Sequence, residues 1–247
     1  MTYYPCFLEG DGSLRRLLVL AGFFAMAASA QEAAPEVQLY VMNVPPYSLV
    51  GGDRHGIVGD VAFEAMRRAD LRPKLVETPN ARALHDVPKL SNTLIVPLAR
   101  LNERETDFTW IARILTVHRA FFTLGKKVTS FADAKKQFAT IGVERGSAAR
   151  AILKSHGFPE DRMVDVTLDA MAPKMLRAGR IDAWFGVVQA DDPLEQALVA
   201  NMVPGASTEQ YLACSRACDP GLVQHLADAV RGMEADGTVG KIEAGYR

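Results

Sequence analysis

The chain has 247 residues, of which 49% are hydrophobic and 23% charged, with a formal net charge of −1. That composition is ordinary for a folded globular protein, and the length allows one large domain or two lobes with separate cores. A nearly neutral chain lacks the broad basic field that would hold nucleic acid or an anionic membrane, which excludes both as expected partners. The five histidines, His55, His85, His118, His156 and His225, stand singly and none has metal-ligand spacing with a second His or Cys. Neither common Gly-rich phosphate loop is present, so no metal and no cofactor is expected.

Arg15-Arg16 precede an apolar run over 17–27, and Ala28-Ser29-Ala30 follows it as a small-x-small site. This is the pattern of a secretory signal peptide, with cleavage expected after Ala30. The apolar run is shorter than the ~20 residues a membrane-spanning helix needs.

After the leader, Val37–Met42 alternates in polarity and predicts a strand, which the prolines of Asn43-Val44-Pro45-Pro46-Tyr47 end. Asp60 is expected to cap a helix carrying Val61, Ala62, Ala65, Met66 and Ala69 on one face. A strand over Lys74–Thr78, a short helix over Ala81–Lys89 and a strand over Thr93–Pro97 follow. This β-α-β-α-β order implies a parallel sheet covered by helices.

A second α/β unit then begins. Its predicted elements are a strand over His118–Leu124, a helix over Phe131–Lys136 after Ser130 and a strand over Ala139–Val143. A helix to Ser155, a strand over Met163–Val166, a helix over Leu168–Ala178 and a strand over Ile181–Val188 complete it. The chain closes with an extended Gln210–Ala213 and a helix opened by Asp219-Pro220, with Leu222, Val223, Leu226, Ala229, Val230 and Met233 as a core-facing stripe. Two α/β units in series suggest two lobes.

Cys6 belongs to the leader, which leaves Cys214 and Cys218 as an even pair in a compartment that permits disulfides. Two readings stand for them, a small disulfide-closed loop or two free thiols.

Several short segments occur together in one order: Pro45-Pro46-Tyr47; Gly56-Ile-Val-Gly-Asp60; Leu98–Glu105 followed by Phe108-Thr-Trp110; Ile141-Gly-Val-Glu-Arg-Gly-Ser147; Gly179-Arg-Ile-Asp182; and Met233–Gly237. With these the chain resembles the bacterial extracellular solute-binding proteins of family 3, the amino-acid-binding type that serves ABC uptake transporters. The resemblance implies an α/β, two-lobed periplasmic-binding-protein-like fold of type II. Each lobe would be a mainly parallel sheet flanked by helices, and two crossover strands would join them. Residues 36–118 plus 208–247 would form lobe 1, and 119–207 an inserted lobe 2. It also implies a monomer that closes on a small molecule by a hinge and hands it to an inner-membrane permease.

On the same resemblance, Arg104, six residues before Trp110, would grip a ligand carboxylate with its guanidinium fork. The other reading of Arg104 is a surface pair with Glu103 or Glu105. Gly146-Ser147 open a helix after a buried strand, where Ser147 either caps the helix or helps seat an anion. Tyr47 is either a wall of the ligand site or a loop packer. Asn43 is a turn residue or a hydrogen-bond donor to ligand, and Arg82 and Arg100 are surface residues or added positive charge in the cleft. Trp184 reads as core.

The chain departs from the family pattern where an Asp usually holds the ligand ammonium, which falls near Val187. A second departure is the aromatic of the first loop, which falls near Val44. Asp191 and Asp192 are substitutes for the missing acid if their loop bends inward. The expected function is therefore binding of a small carboxylate, an amino acid or a related compound, rather than catalysis. The alternatives are an enzyme on the same scaffold, resembling cyclohexadienyl dehydratase, and a sensory binding protein.

Overall fold

The computed structural model describes residues 34–44, 47–166, 171–188 and 198–246. The leader over 1–30, Pro45-Pro46, the start of the helix expected from Leu168, and Asp191-Asp192 lie outside the described residues.

Two five-stranded sheets organise the chain. The first is built from β1 (Glu36–Val41), β2 (Arg72–Glu77), β3 (Leu94–Ala99), β4 (Phe108–Val117) and β10 (Thr208–Ser215), in the spatial order β2-β1-β3-β10-β4. β1 runs parallel to β2 and β3, whereas β10 runs antiparallel to β3 and β4. The second contains β5 (Arg119–Thr123), β6 (Ile141–Glu144), β7 (Met163–Val166), β8 (Ala183–Val187) and β9 (Val199–Met202), in the order β7-β6-β8-β5-β9. β6 is parallel to β7 and β8, and β5 is antiparallel to β8 and β9.

The sequence of each strand follows from its layer. Every residue of β3 (LIVPLA) and β8 (AWFGV) is buried, as expected for central strands covered on both faces. In the first sheet, Leu94 and Val96 face a core shared with α1 (Gly56–Arg68) and α6 (Pro220–Ala235). Ile95 and Leu98 face the opposite core, against Ala83 of α2 (Asn80–Asp86) and Val87 of the 3-10 turn that follows it. In the second sheet, Phe121 and Phe185 pack with Phe131 of α3 (Phe131–Gln137) and Leu153 of α4 (Ala149–Ser155). Phe122 and Trp184, stacked with ring centroids 4.6 Å apart, pack on the other face against Leu176 of α5 (Ala172–Arg177). Gly186 keeps that stack possible, because a Cβ there would lie 2.2 Å from the Trp184 ring.

Three differences from the sequence reading have local causes. The helix expected to begin at Asp60 begins one turn earlier, at Gly56, whose φ of +76° suits glycine. Asp60 is consequently inside the helix, where its carboxylate accepts a 2.9 Å bond from the His55 backbone N–H and one from the Tyr246 hydroxyl. The ten-residue β4 was not expected as a strand, nor was β9. A seven-residue α7 (Thr238–Ala244) follows the left-handed Gly237. Cys214 and Cys218 are bridged, tying the end of β10 to the turn that precedes α6. Asp219 caps α6 as expected, accepting from the Leu222 N–H at 2.9 Å.

Candidate functional site

The parallel strands of both sheets point their carboxyl ends toward one another. Met42 follows β1, Ala99 ends β3, Val117 ends β4, Glu144 ends β6 and Val187 ends β8, and all five line a single cavity. Arg119 and Gln210 enter it from the first turns of β5 and β10, the strands that run antiparallel to those neighbours. Ligands collect at such strand ends because side chains there face a crevice and not the opposite layer of a core. The cavity is narrow, with a volume of about 40 Å³, below the ~300–1,000 Å³ of typical small-molecule sites.

Two chain crossings join the sheets, at His118 between β4 and β5 and at 203–207 between β9 and β10. Side chains stitch the crossings together. His118 Nδ1 lies 2.8 Å from Ser207 Oγ, and Arg119 Nη1 donates to Thr208 Oγ1 at 2.5 Å. Gln210 Nε2 donates to the same Thr208 oxygen at 2.9 Å. Opposite the crossings the two sides of the cavity touch: Tyr47 Oη donates to the Val188 carbonyl at 3.4 Å, and Gly146 approaches Ala81. A Cβ on Gly146 would lie 2.7 Å from the Ala81 nitrogen, and its φ is +79°, so both contact and conformation select glycine.

Arg104 is the residue that stands out electrostatically. It closes a 3-10 turn over Asn102–Arg104, is 8% exposed and lines the cavity. Its hydrogen bond is a 3.4 Å contact from Nη1 to the Ala99 carbonyl, and no carboxylate among the described residues forms an ion pair with it. Burial lowers its pKa, partly opposed by the charge of Glu103.

The other expected residues divide. Tyr47, Gly146 and Ser147 line the cavity with Arg104. The Ser147 hydroxyl is engaged locally, donating to the Glu144 carbonyl at 2.9 Å and accepting from the Ala149 N–H at 3.2 Å, one residue ahead of the α4 N-cap at Ala148. Arg100, Arg82 and Asn43 are exposed and do not line the cavity. Arg100 forms an ion pair with Glu105 and lies over the Trp110 and Tyr211 rings at 5.3 and 5.4 Å. That pair leaves Arg104, and not Arg100, to face inward. Among the described residues no group of acids, cysteines and histidines could hold a metal.

No protein-family model matches the chain, and no curated protein matches it. Solved structures do match. A structure of the P235GK mutant of ArgBP from T. maritima superposes with a TM-score of 0.71 at 17% identity, over 85% of this chain and 94% of that one. EhuB in complex with hydroxyectoine gives 0.72 at 24% identity, over 85% and 88%. The ancestral amino acid-binding protein AncCDT-1, a precursor of cyclohexadienyl dehydratase, gives 0.70 at 17% identity, over 85% and 94%.

This chain has the fold of the amino-acid-binding periplasmic proteins.

Within that periplasmic-binding fold, four polar residues reach the cavity that the sequence reading did not single out: Asn80, Arg119, Glu144 and Gln210. Two carried a signal. Arg119 is a charge opening an otherwise apolar strand, RAFFT, and is 5% exposed. Glu144 is an acid at the carboxyl end of a buried strand, IGVE, two residues before a glycine of positive φ. Val44 and Val187, the positions of the two departures, line the same cavity as apolar wall.

Proposed function

We propose that this chain is a solute-binding protein that captures a small carboxylate-bearing ligand in the cavity between two lobes. The lobes are taken as 36–118 with 208–247, and 119–207. Arg104 carries the reading. A guanidinium buried at the cavity wall, with no acid partner among the described residues, is costly unless a bound anion completes it. Two parallel N–H donors suit a carboxylate, and enclosure between two sheets strengthens the pair by excluding water. The similarity to proteins named for binding amino acids agrees with a ligand of that class.

The remaining parts of the proposal rest on sequence. Arg15-Arg16, the apolar run and Ala28-Ser29-Ala30 support export and cleavage, hence a periplasmic location. There the protein would act as a monomer, without catalysis, delivering its ligand to an inner-membrane ABC permease. Small molecules released on denaturing the purified wild type and Arg104→Ala, compared by mass spectrometry, test the binding reading. A carboxylate released from wild type and missing from the variant is expected. A ligand without a carboxylate, or equal release from both proteins, overturns it.

A further inference from the structure

We infer that Tyr246 is a positioning residue for the ligand cavity: α7 is a brace laid along α1, and its far end fixes the loop from which Tyr47 closes the cavity. This rests on the proposed function, because it makes the grip on a ligand depend on a side chain outside the cavity wall. The brace is fastened at both ends. Where α7 begins, Arg68 in the last turn of α1 donates to Asp236 Oδ2 at 2.7 Å and to Thr238 Oγ1 at 2.9 Å. Val239 and Ile242 then pack on the core that α1 shares with α6. Where α7 ends, the Tyr246 hydroxyl donates to Asp60 Oδ2 at 2.5 Å. Arg54 donates to the Gly245 carbonyl, with its guanidinium carbon 3.8 Å from the centre of the Tyr246 ring. Gly245 and Tyr246 thus hold Arg54 just ahead of α1 and Asp60 one turn inside it.

These contacts reach Tyr47 through the backbone. The other oxygen of Asp60 accepts from the His55 N–H at 2.9 Å. The His55 carbonyl accepts from the Leu49 N–H at 2.9 Å, and the Tyr47 carbonyl from the Val58 N–H at 2.7 Å. Tyr47 is therefore carried on the start of α1, and Asp60 is where that start is fixed. The connecting stretch has little packing of its own: residues 51–54 are exposed, and Gly51 and Gly52 have positive φ with open space around them. Segments with so few buried contacts open locally at low cost. A hydrogen bond to a carboxylate is stronger than one between neutral groups, so the Tyr246–Asp60 bond is a large share of the restraint. Tyr47 in turn meets the Val188 carbonyl across the cavity, so slack in the loop becomes slack in the wall around a ligand. A ligand that must order its own wall binds more weakly.

The test uses the full-length protein as wild type, Tyr246→Phe, Asp60→Ala and the double variant, each first shown to be folded by circular dichroism. Hydrogen exchange is read at the Ser48, Leu49 and Val58 amides and, for comparison, along β3. Calorimetry measures affinity for whichever of glycine, L-arginine, L-glutamate, propionate and succinate wild type binds most tightly. Tyr246→Phe should speed exchange at the three loop amides about tenfold, leave β3 unchanged and weaken binding about tenfold. In the Asp60→Ala background the same change should add nothing, since its acceptor is gone. Unchanged loop exchange overturns the inference, as does equal acceleration in β3, which would mark a global loss of stability. Faster loop exchange with undiminished affinity also overturns it, reducing Tyr246 to a structural residue. A full effect of Tyr246→Phe without Asp60 would do the same. Wild type binding none of the five compounds refutes the proposed function instead, and loop exchange alone then decides whether Tyr246 holds the loop.

Discussion

Replacing Arg104 by methionine separates binding from folding, because the two should move in opposite directions. The guanidinium is buried without an acid partner among the described residues, and its recorded bond is at the long limit, 3.4 Å. In the unliganded protein that charge has lost water and gained little, which is why its pKa is lowered. An apolar side chain of similar length removes the desolvation cost and keeps the packing. Replacing buried charges in this way has been worth ~1–4 kcal/mol of added stability. At the ~2–4 °C per kcal/mol typical of chains this size, the melting temperature should rise by at least about 2 °C. Binding should respond the other way. A buried carboxylate left without its partner costs ~3–5 kcal/mol, so affinity should fall by at least ~100-fold at 1.4 kcal/mol per tenfold. Arg104→Lys should also weaken binding, since a point charge does not reproduce the fork. Differential scanning calorimetry, with and without the carboxylate that most stabilises wild type, reads both effects. A methionine variant several degrees less stable than wild type would make Arg104 a structural residue. An undiminished ligand-induced shift would remove it from the site.

Other predictions address the frame around the cavity. Gly56→Ala places a Cβ 2.6 Å from the Ser48 backbone at a φ of +76°; it should cost ~1–3 kcal/mol or more in urea unfolding and weaken ligand binding by displacing Tyr47. An unchanged urea midpoint would contradict it. Cys218→Ala opens the loop closed with Cys214 and should lower stability by ~2 kcal/mol, with no effect of reductant on the variant; wild type insensitive to reductant would reject this. Hydrogen bonds from Arg67 and Arg68 hold the Glu64 carboxyl at about 2, below its ordinary 4.5. Its contribution is therefore complete above pH 4.5 and lost as pH falls toward 2, so Glu64→Gln should flatten the acid limb of the urea-midpoint profile in that window. The same acid limb in both proteins would show that the pair contributes nothing measurable, as exposed pairs such as Arg67–Glu64 often do.

The sequence by itself determined most of the elements and their order, but not β4, β9 or α7. Apolar runs such as AWFGV, the alternation of EVQLYV and the Asp219-Pro220 cap are short-range signals, and the structure places elements where they indicate. It also brought Cys214 and Cys218 close enough to bridge, four residues apart. Short-range signals fail where a residue's role is set from afar. Asp60 reads as a cap until Gly56, where a Cβ would meet the Ser48 backbone at 2.6 Å, starts the helix a turn earlier. Only the family resemblance set Arg104 apart from Arg100, and the Glu105 carboxylate with the Trp110 and Tyr211 rings draws Arg100 to the surface while Arg104 is buried. Arg119 and Glu144 became site residues only because the carboxyl ends of β1, β3 and β4 meet those of β6 and β8. That meeting joins residues about a hundred positions apart, such as Met42 and Glu144, and no local periodicity encodes it. Sheet topology and the two crossings decide which polar side chains face one another, and so the charge pattern a ligand must match.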